Sequence, residues 1–243
     1  MTRQLRAAAF TVAALFIAGY AAAQTPSADE LVAKNLAARG GADTLKGLTS
    51  ARLVGTLSVQ GMEMPLTILT KRPNKMKQEM NMKGQKIIQA FDGETVWAVN
   101  PLGGGATPRV VEGPAADVVK NQSLFDGPLV GYKERGDTLE VLGPADVGGA
   151  KTWKLKLTRK DGKSMLIYLD ADTGLERQWT ATMDQNGMTM EIESIMTDHQ
   201  ATDGIMMARS IRTMMGGKQA AALTFTTVEF NVPIDDSEFV MPK

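Results

Sequence analysis

The sequence predicts a mainly β fold: an unclosed antiparallel half-barrel of roughly ten or eleven strands with an N-terminal helix and short lid helices. Beyond residue 50, apolar and polar residues alternate almost without interruption, which is the period of strands that are wet on one face. Turn dipeptides separate the alternating runs, so the strands follow one another as hairpins. Helical periodicity is confined to three short stretches, too little to cover a long sheet. A sheet of that length curls, and its concave face is left partly vacant.

The amino terminus comes first in the chain and stands apart from this pattern. Arg3 and Arg6 precede an uncharged stretch, Ala7 to Ala23, that contains Phe10, Val12, Leu15, Phe16 and Ile17 and ends in Ala21-Ala22-Ala23. This order of charged, apolar and small residues is that of a cleavable secretory signal, which places residues 1–23 in a signal peptide and 24–243 in one exported domain. No later run is apolar enough to cross a bilayer. The chain has 0 Cys, so stability must come from a core instead of disulfides, and no cysteine beside the cleavage site offers a lipid anchor. The expected compartment is the periplasm of a Gram-negative bacterium, with the protein soluble in it.

Charge argues against nucleic acid as a partner. Cleavage removes two of the 27 basic residues and none of the 27 acidic ones. Basic stretches such as Lys71-Arg72 and Lys75 with Lys77 are interleaved with Glu79, Asp92 and Glu94, as on a solvated strand face.

From Ser27 to Gly41 the pattern is helical. Ser27 and Glu30 form a capping box, Leu31, Asn35 and Ala38 share a face, and Gly40-Gly41 stops the helix. A second short helix is expected over residues 42–46. The period then changes to two. Ala51, Leu53, Gly55, Leu57 and Val59 alternate with polar neighbours, as do Met64, Leu66 and Ile68, and then Met76, Met80 and Met82. Asp92-Gly93, Asp161-Gly162 and Asn186-Gly187 are hairpin turns. Longer reversals fall at Arg72-Pro73-Asn74, residues 170–174 and Met215-Gly216-Gly217.

Between the halves, Leu102 to Pro108 reads as a glycine-rich loop and Gly113 to Gln122 as a short helix bearing Ala115, Val118 and Val119. Two readings of that helix stand side by side: a lid over the sheet, or a crossover plugging one end of the barrel. In the second half Trp153, Leu155 and Leu157 alternate with lysines and threonine. Met165, Ile167 and Leu169 follow, then Leu175, Trp179 and Met183, then Met188, Met190 and Ile192, and the last strands run over about 205–214 and 220–232.

The apolar parity defines the candidate ligand surface. In the first half it comprises Leu53, Leu57, Leu66, Ile68, Met76, Met80, Met82 and Trp97. In the second half it comprises Leu155, Ile167, Trp179, Met188 and Met190. The chain has 16 Met against 7 Phe, 3 Trp and 3 Tyr. Unbranched thioethers suit a surface that accepts ligands of variable shape, such as acyl chains, although any one Met equally fills a core. A rival reading uses Met62, Met64, Met76, Met80, Met82, Met188 and Met190 as soft ligands for Cu(I). Residues two apart on a strand form a row, however, and do not converge on a point.

Nothing points to catalysis or a cofactor. The chain has no nucleophile elbow, P-loop or dinucleotide fingerprint. Its 1 His, His199, is expected at a strand end on the surface. Asp170, Asp172 and Glu176 lack the spacing of a calcium loop and read as a turn.

Four stretches resemble the LolA-type periplasmic lipoprotein carriers and the wider group of outer-membrane lipoprotein-sorting proteins. They are Lys71-Arg72-Pro73-Asn74-Lys75-Met76; Phe91-Asp92-Gly93-Glu94-Thr95-Val96-Trp97 with Asn100-Pro101; Leu169-Asp170-Ala171-Asp172-Thr173-Gly174-Leu175; and residues 231–239. The resemblance implies a hydrophobic cavity for acyl chains under helical lids, with hand-off from an inner-membrane release complex to an outer-membrane acceptor. It also implies that Arg72 holds the lid closed, with Val118 and Val119 on the lid helix. The chain departs from the best-known carriers in its length, in an added stretch around residues 127–149 and in its abundance of Met. These departures leave open a lipid-sensing regulator on the same fold.

Overall fold

The computed structural model describes residues 25–103, 105–124, 126–185 and 188–242, and within these it leaves aside the side chains of 183–185 and 188. Residues 1–23, read above as a signal peptide, and Asn186-Gly187, read as a hairpin turn, lie outside the described residues.

Helix α1 (Ala28–Ala38) opens with the expected capping box: the Ser27 hydroxyl accepts from the Glu30 amide at 3.2 Å, and the Ser27 amide donates to the Glu30 carboxylate at 2.7 Å. A short helix α2 (Ala42–Gly47) follows. The first strands are β1 (Ser50–Val59), β2 (Met62–Lys71), β3 (Lys75–Met82), β4 (Gln85–Phe91), β5 (Val96–Asn100) and β6 (Gly105–Val110). Helix α3 (Pro114–Gln122) and an irregular crossover, residues 123–137, lead to β7 (Thr138–Val147), β8 (Ala150–Thr158) and β9 (Ser164–Asp170). The chain continues through β10 (Glu176–Gln185), β11 (Met188–Thr202), β12 (Ile205–Met215) and β13 (Lys218–Phe230), and a 3-10 turn spans Asp236–Glu238.

Among the described residues these strands form one antiparallel sheet in the order β6-β5-β4-β3-β2-β1-β13-β12-β11-β10-β9-β8-β7. Two meanders, β1 to β6 and β7 to β13, are joined along β1 and β13. The free edges are β6 and β7, so the sheet is unclosed.

Thirteen strands replace the expected ten or eleven, and the additions are the two edges. The stretch read as a glycine-rich loop contains β6, and the added stretch around 127–149 contains β7. Each edge strand carries a proline, Pro108 or Pro144, whose missing N–H is tolerable where one side has no partner strand.

The curl follows from α3. It packs Ala116 and Val119 against Met76, Phe91 and Val96 on β3 to β5, while Asp117 bonds Lys163 at 2.9 Å in the β8–β9 turn and Asn121 accepts from Arg159. In a flat sheet β4 and β9 would lie eight strand spacings apart, about 38 Å, whereas a helix of 9 residues is about 14 Å long. The sheet must therefore bend until its two wings meet α3.

Three clusters form the core on the inner face. Under α1 and the crossover lie Leu31, Val32, Leu129, Tyr132, Leu155, Leu157, Ile167 and Leu169. Leu45, Leu48, Val130 and Ile205 pack beneath α2, and the α3 cluster completes the set. Helix α1 is fixed to the β9–β10 turn by the buried Asn35 amide, which donates to the Gly174 carbonyl at 2.9 Å. Gly174 has φ +79, and a Cβ there would sit 2.8 Å from Lys34 Cγ, so the helix approaches as it does because this position is glycine. Among the described residues no helix is long and apolar enough to cross a membrane.

Candidate functional site: the inner face and its strap

Register decides which side chains share the inner face, because directly paired residues project to the same side. Leu53 pairs with Ile68, Leu57 with Met64 and Leu66 with Met80, while Met76 and Met82 keep the parity of Met80. Leu155 pairs with Ile167, and Ile167 with Trp179. Met190 follows the parity of Ile192, which pairs with Ala181, on the same side as Trp179. Leu57 also pairs with Leu223, and Leu223 with Ile211, so β1, β13 and β12 carry the face across the sheet.

These residues do not all have the same access. Leu155 and Ile167 are sealed beneath α1 and the crossover, and Met76 is sealed beneath α3. They are core. Leu53, Leu57, Met80, Met82 and Met190 are half-buried, as are Ile211 and Leu223, and Ile68 and Trp179 are half-buried against the α3 and α1 clusters. The inner face thus has a covered end at the helices and a less covered, apolar floor further along the strands. The side chain of Met188 lies outside the described residues.

Trp97 belongs to the other face. It pairs with Ala90, and Ala90 with Lys77, whose ammonium meets Glu238 at 2.7 Å. The Trp97 indole donates to the Phe239 carbonyl at 2.6 Å, and Phe239 is 0% exposed, so the C-terminal segment buries this indole on the outside of the sheet. Val118 also points away, at 44% exposed, because α3 turns Ala116 and Val119 inward.

Arg72, in the β2–β3 turn, is a clamp. Its guanidinium donates to the Asp126 carboxylate at 2.8 and 2.6 Å and to the Leu45 carbonyl at 2.9 Å, and its Nε donates to the Leu48 carbonyl. One planar fork thereby joins a strand turn, the end of α2 and the crossover just after α3. The Asp126 carbonyl accepts from Arg39 at 3.1 Å, and Arg39 lies 3.6 Å from Glu176 on β10. Asp126 is therefore tied to both meanders. The helix read either as a lid or as a crossover plugging one end connects the two meanders, with Asp117 and Asn121 bonded to the β8–β9 turn and Asp126, just beyond it, held by Arg72 and Arg39.

Asp170 and His199 have local explanations. Asp170 accepts from the Thr173 amide at 2.8 Å, the Thr173 hydroxyl at 3.0 Å and Arg177 Nε at 2.6 Å. Burial works to raise its pKa, but the Thr173 amide and the Arg177 guanidinium outweigh burial and hold it at about 2. It is the cap of a turn, as expected. His199 lies within β11 and is half-buried instead of at a strand end; burial lowers its pKa against the opposing pull of Glu176. Among the described residues no group of three or more His, Cys, Asp or Glu gathers as metal ligands would.

Sequence reasoning did not find Arg39, Asp126 or Arg209. Arg39 and Asp126 carry no local motif. Arg209 does carry a signal: it is the one charge on the apolar parity of β12, among Ile205, Met207 and Ile211.

The fold and the floor define an open β half-barrel with a helix-strapped apolar inner face. This is the LolA-like fold, on the following comparisons. The chain is similar to a LolA superfamily protein from Nitrosomonas europaea, with 11% identity over 88% of this chain and 98% of that one at a TM-score of 0.59. It is similar to a domain described as an outer membrane lipoprotein-sorting protein from Vibrio parahaemolyticus, with 9% identity over 86% and 97% at 0.59. A DUF1329 family protein from Desulfovibrio piger gives 12% identity over 87% and 95% at 0.60. No family model matches the chain, and no curated protein matches it.

Proposed function

We propose that this protein is a periplasmic carrier that takes the acyl chains of lipoproteins, or a related lipid, onto the open part of its inner face and delivers them towards the outer membrane. The observation that carries this reading is the half-buried floor formed by Leu53, Leu57, Met80, Leu223 and Ile211, none of which packs into the three clusters that the helices cover. Each methylene removed from water there contributes about 0.8 kcal/mol, so affinity should rise roughly fourfold per added carbon while the floor has room. The signal pattern of residues 1–23 supports export, and the fold shared with a lipoprotein-sorting domain supports this class of cargo. Delivery requires partners: an inner-membrane complex that releases cargo and an outer-membrane acceptor that takes it.

The test is gentle purification of the exported protein followed by lipid extraction and mass spectrometry. The expected result is a stoichiometric acylated species. Stoichiometric copper with no lipid would replace this reading with the soft-metal one.

A further inference from the structure

We infer that the ligand of the inner face is an anionic amphiphile whose carboxylate or phosphate group pairs with Arg209. This rests on the carrier reading above and adds the chemistry of the head group. Arg209 follows Ile205 and Met207 and precedes Ile211 on the inner-face parity of β12. It is only 7% exposed. Its Nε is buried with no hydrogen-bond acceptor, and one terminal nitrogen donates to the Thr202 hydroxyl. Among the described residues no carboxylate lies within ion-pair distance of it.

The acid opposite it is engaged elsewhere, and so is Glu176, the buried acid of β10. Asp198 lies opposite Arg209 in the β11–β12 register, but it is exposed, sits at φ +53, and its two carboxylate oxygens accept from the Gln200 amide at 2.9 and 3.0 Å. Glu176 is held towards Arg39 at 3.6 Å. A guanidinium stays protonated at any physiological pH, and a buried charge without a counter-charge is strongly unfavourable. Arg209 has five N–H donors, and a planar fork of this kind matches a carboxylate or phosphate with two parallel bonds.

Position supports the assignment. Along β12, Ile205 is sealed under α2 and the crossover, whereas Ile211 belongs to the half-buried floor with Leu223 and Leu57. Arg209 stands between them, at the boundary of the covered and open parts. A head group held there leaves its tail on Ile211, Leu223, Leu57 and Met80.

The experiment uses three ligands with the same tail, hexadecanoate, hexadecyl phosphate and hexadecan-1-ol, competing with a neutral fluorescent probe on the mature protein. Wild type should bind one or both anions about tenfold or more tightly than the alcohol; the stronger anion identifies the head group as carboxylate or phosphate. Arg209→Met should bring the anions down to the affinity of the alcohol and leave the alcohol unchanged. Arg209→Lys, which keeps the charge without the fork, should fall between them. Arg209→Met removes an uncompensated buried charge and keeps the side-chain length, so its thermal melt should not fall below that of wild type; Arg209→Lys supplies a second folded variant. An alcohol that binds as well as the anions in wild type, or a discrimination that survives in Arg209→Met, overturns the inference and leaves the carrier reading standing. Failure of all three ligands to bind folded wild type removes both.

Discussion

Replacing Arg72 by leucine tests the strap directly. The substitution deletes two bonds to the Asp126 carboxylate and those to the Leu45 and Leu48 carbonyls. Hydrogen bonds to charged groups contribute about 1.5–3 kcal/mol each when shielded. The Arg72 and Asp126 side chains are 31% and 17% exposed, so solvent screens the pair, and the whole clamp is worth about 2–3 kcal/mol. That raises the ratio of undocked to docked strap roughly 30- to 160-fold. Amides of residues 126–137 should exchange faster by about this factor, while those of β11 and β12 change far less. Loaded with the same acylated cargo, the variant should lose it to acceptor membranes sooner while still loading normally, because the docked and undocked states differ by these contacts. Asp126→Asn should give a similar effect, and the double variant little more than either single one. Additive effects of the two substitutions, or unchanged exchange over 126–137, would refute the clamp.

Three further outcomes are expected. Met80→Glu puts a charge on the half-buried floor and should weaken displacement of a fluorescent fatty acid at least tenfold, while Glu79→Gln, on the other face beside Lys86 at 2.8 Å, should leave it unchanged; equal effects with folding intact would mean that the ligand lies elsewhere. The Asp170 carboxyl is held near 2, below its unfolded value of 3.8, so its contribution of about 2 kcal/mol is present above pH 4 and is lost as pH falls through 2. Asp170→Asn should therefore cost about that much at pH 7 in urea denaturation, with the gap to wild type closing between about pH 4 and 2; a gap independent of pH refutes the assignment. Intact mass of exported protein should show a chain starting at Gln24, and an uncleaved chain in the membrane fraction would contradict the soluble carrier.

Periodicity revealed the sheet because eleven of its strands alternate over a half-buried surface. It missed β6, an edge strand with almost no alternation, and β7, whose alternation is interrupted by Gly143-Pro144 in a way that a strand bonded on one side only tolerates. The alternating floor was legible for Leu53, Leu57 and Met80, since period two places them together whatever the tertiary context. Trp97 shows where that logic stops. A large apolar residue on the outer parity looks like any other core residue until a distant segment, here Phe239 more than a hundred residues later, is known to cover it. The α3 helix was visible but its orientation was not, since Val118 and Val119 are adjacent and only packing decides which of them turns inward. The Arg72 clamp shows the same division: its turn is local, whereas its partner Asp126 is 54 residues away.

The pairing of β1 with β13 has a consequence for how the chain reaches this state. Every other strand pair joins neighbours in sequence and can zip through its own turn within microseconds, but Thr226 meets Val54 across 172 positions. Synthesis delivers β1 well before β13, and until then one side of β1 presents unpaired amides and carbonyls beside an apolar surface. The nascent chain therefore passes through a stage as two adhesive hairpin stacks, and loop closure makes their union the slow event. Gly55 sits on that join, where any side chain would strike the Thr224 backbone, so a substitution there should trap the stacks apart and divert them to aggregation before it alters any property of the finished molecule.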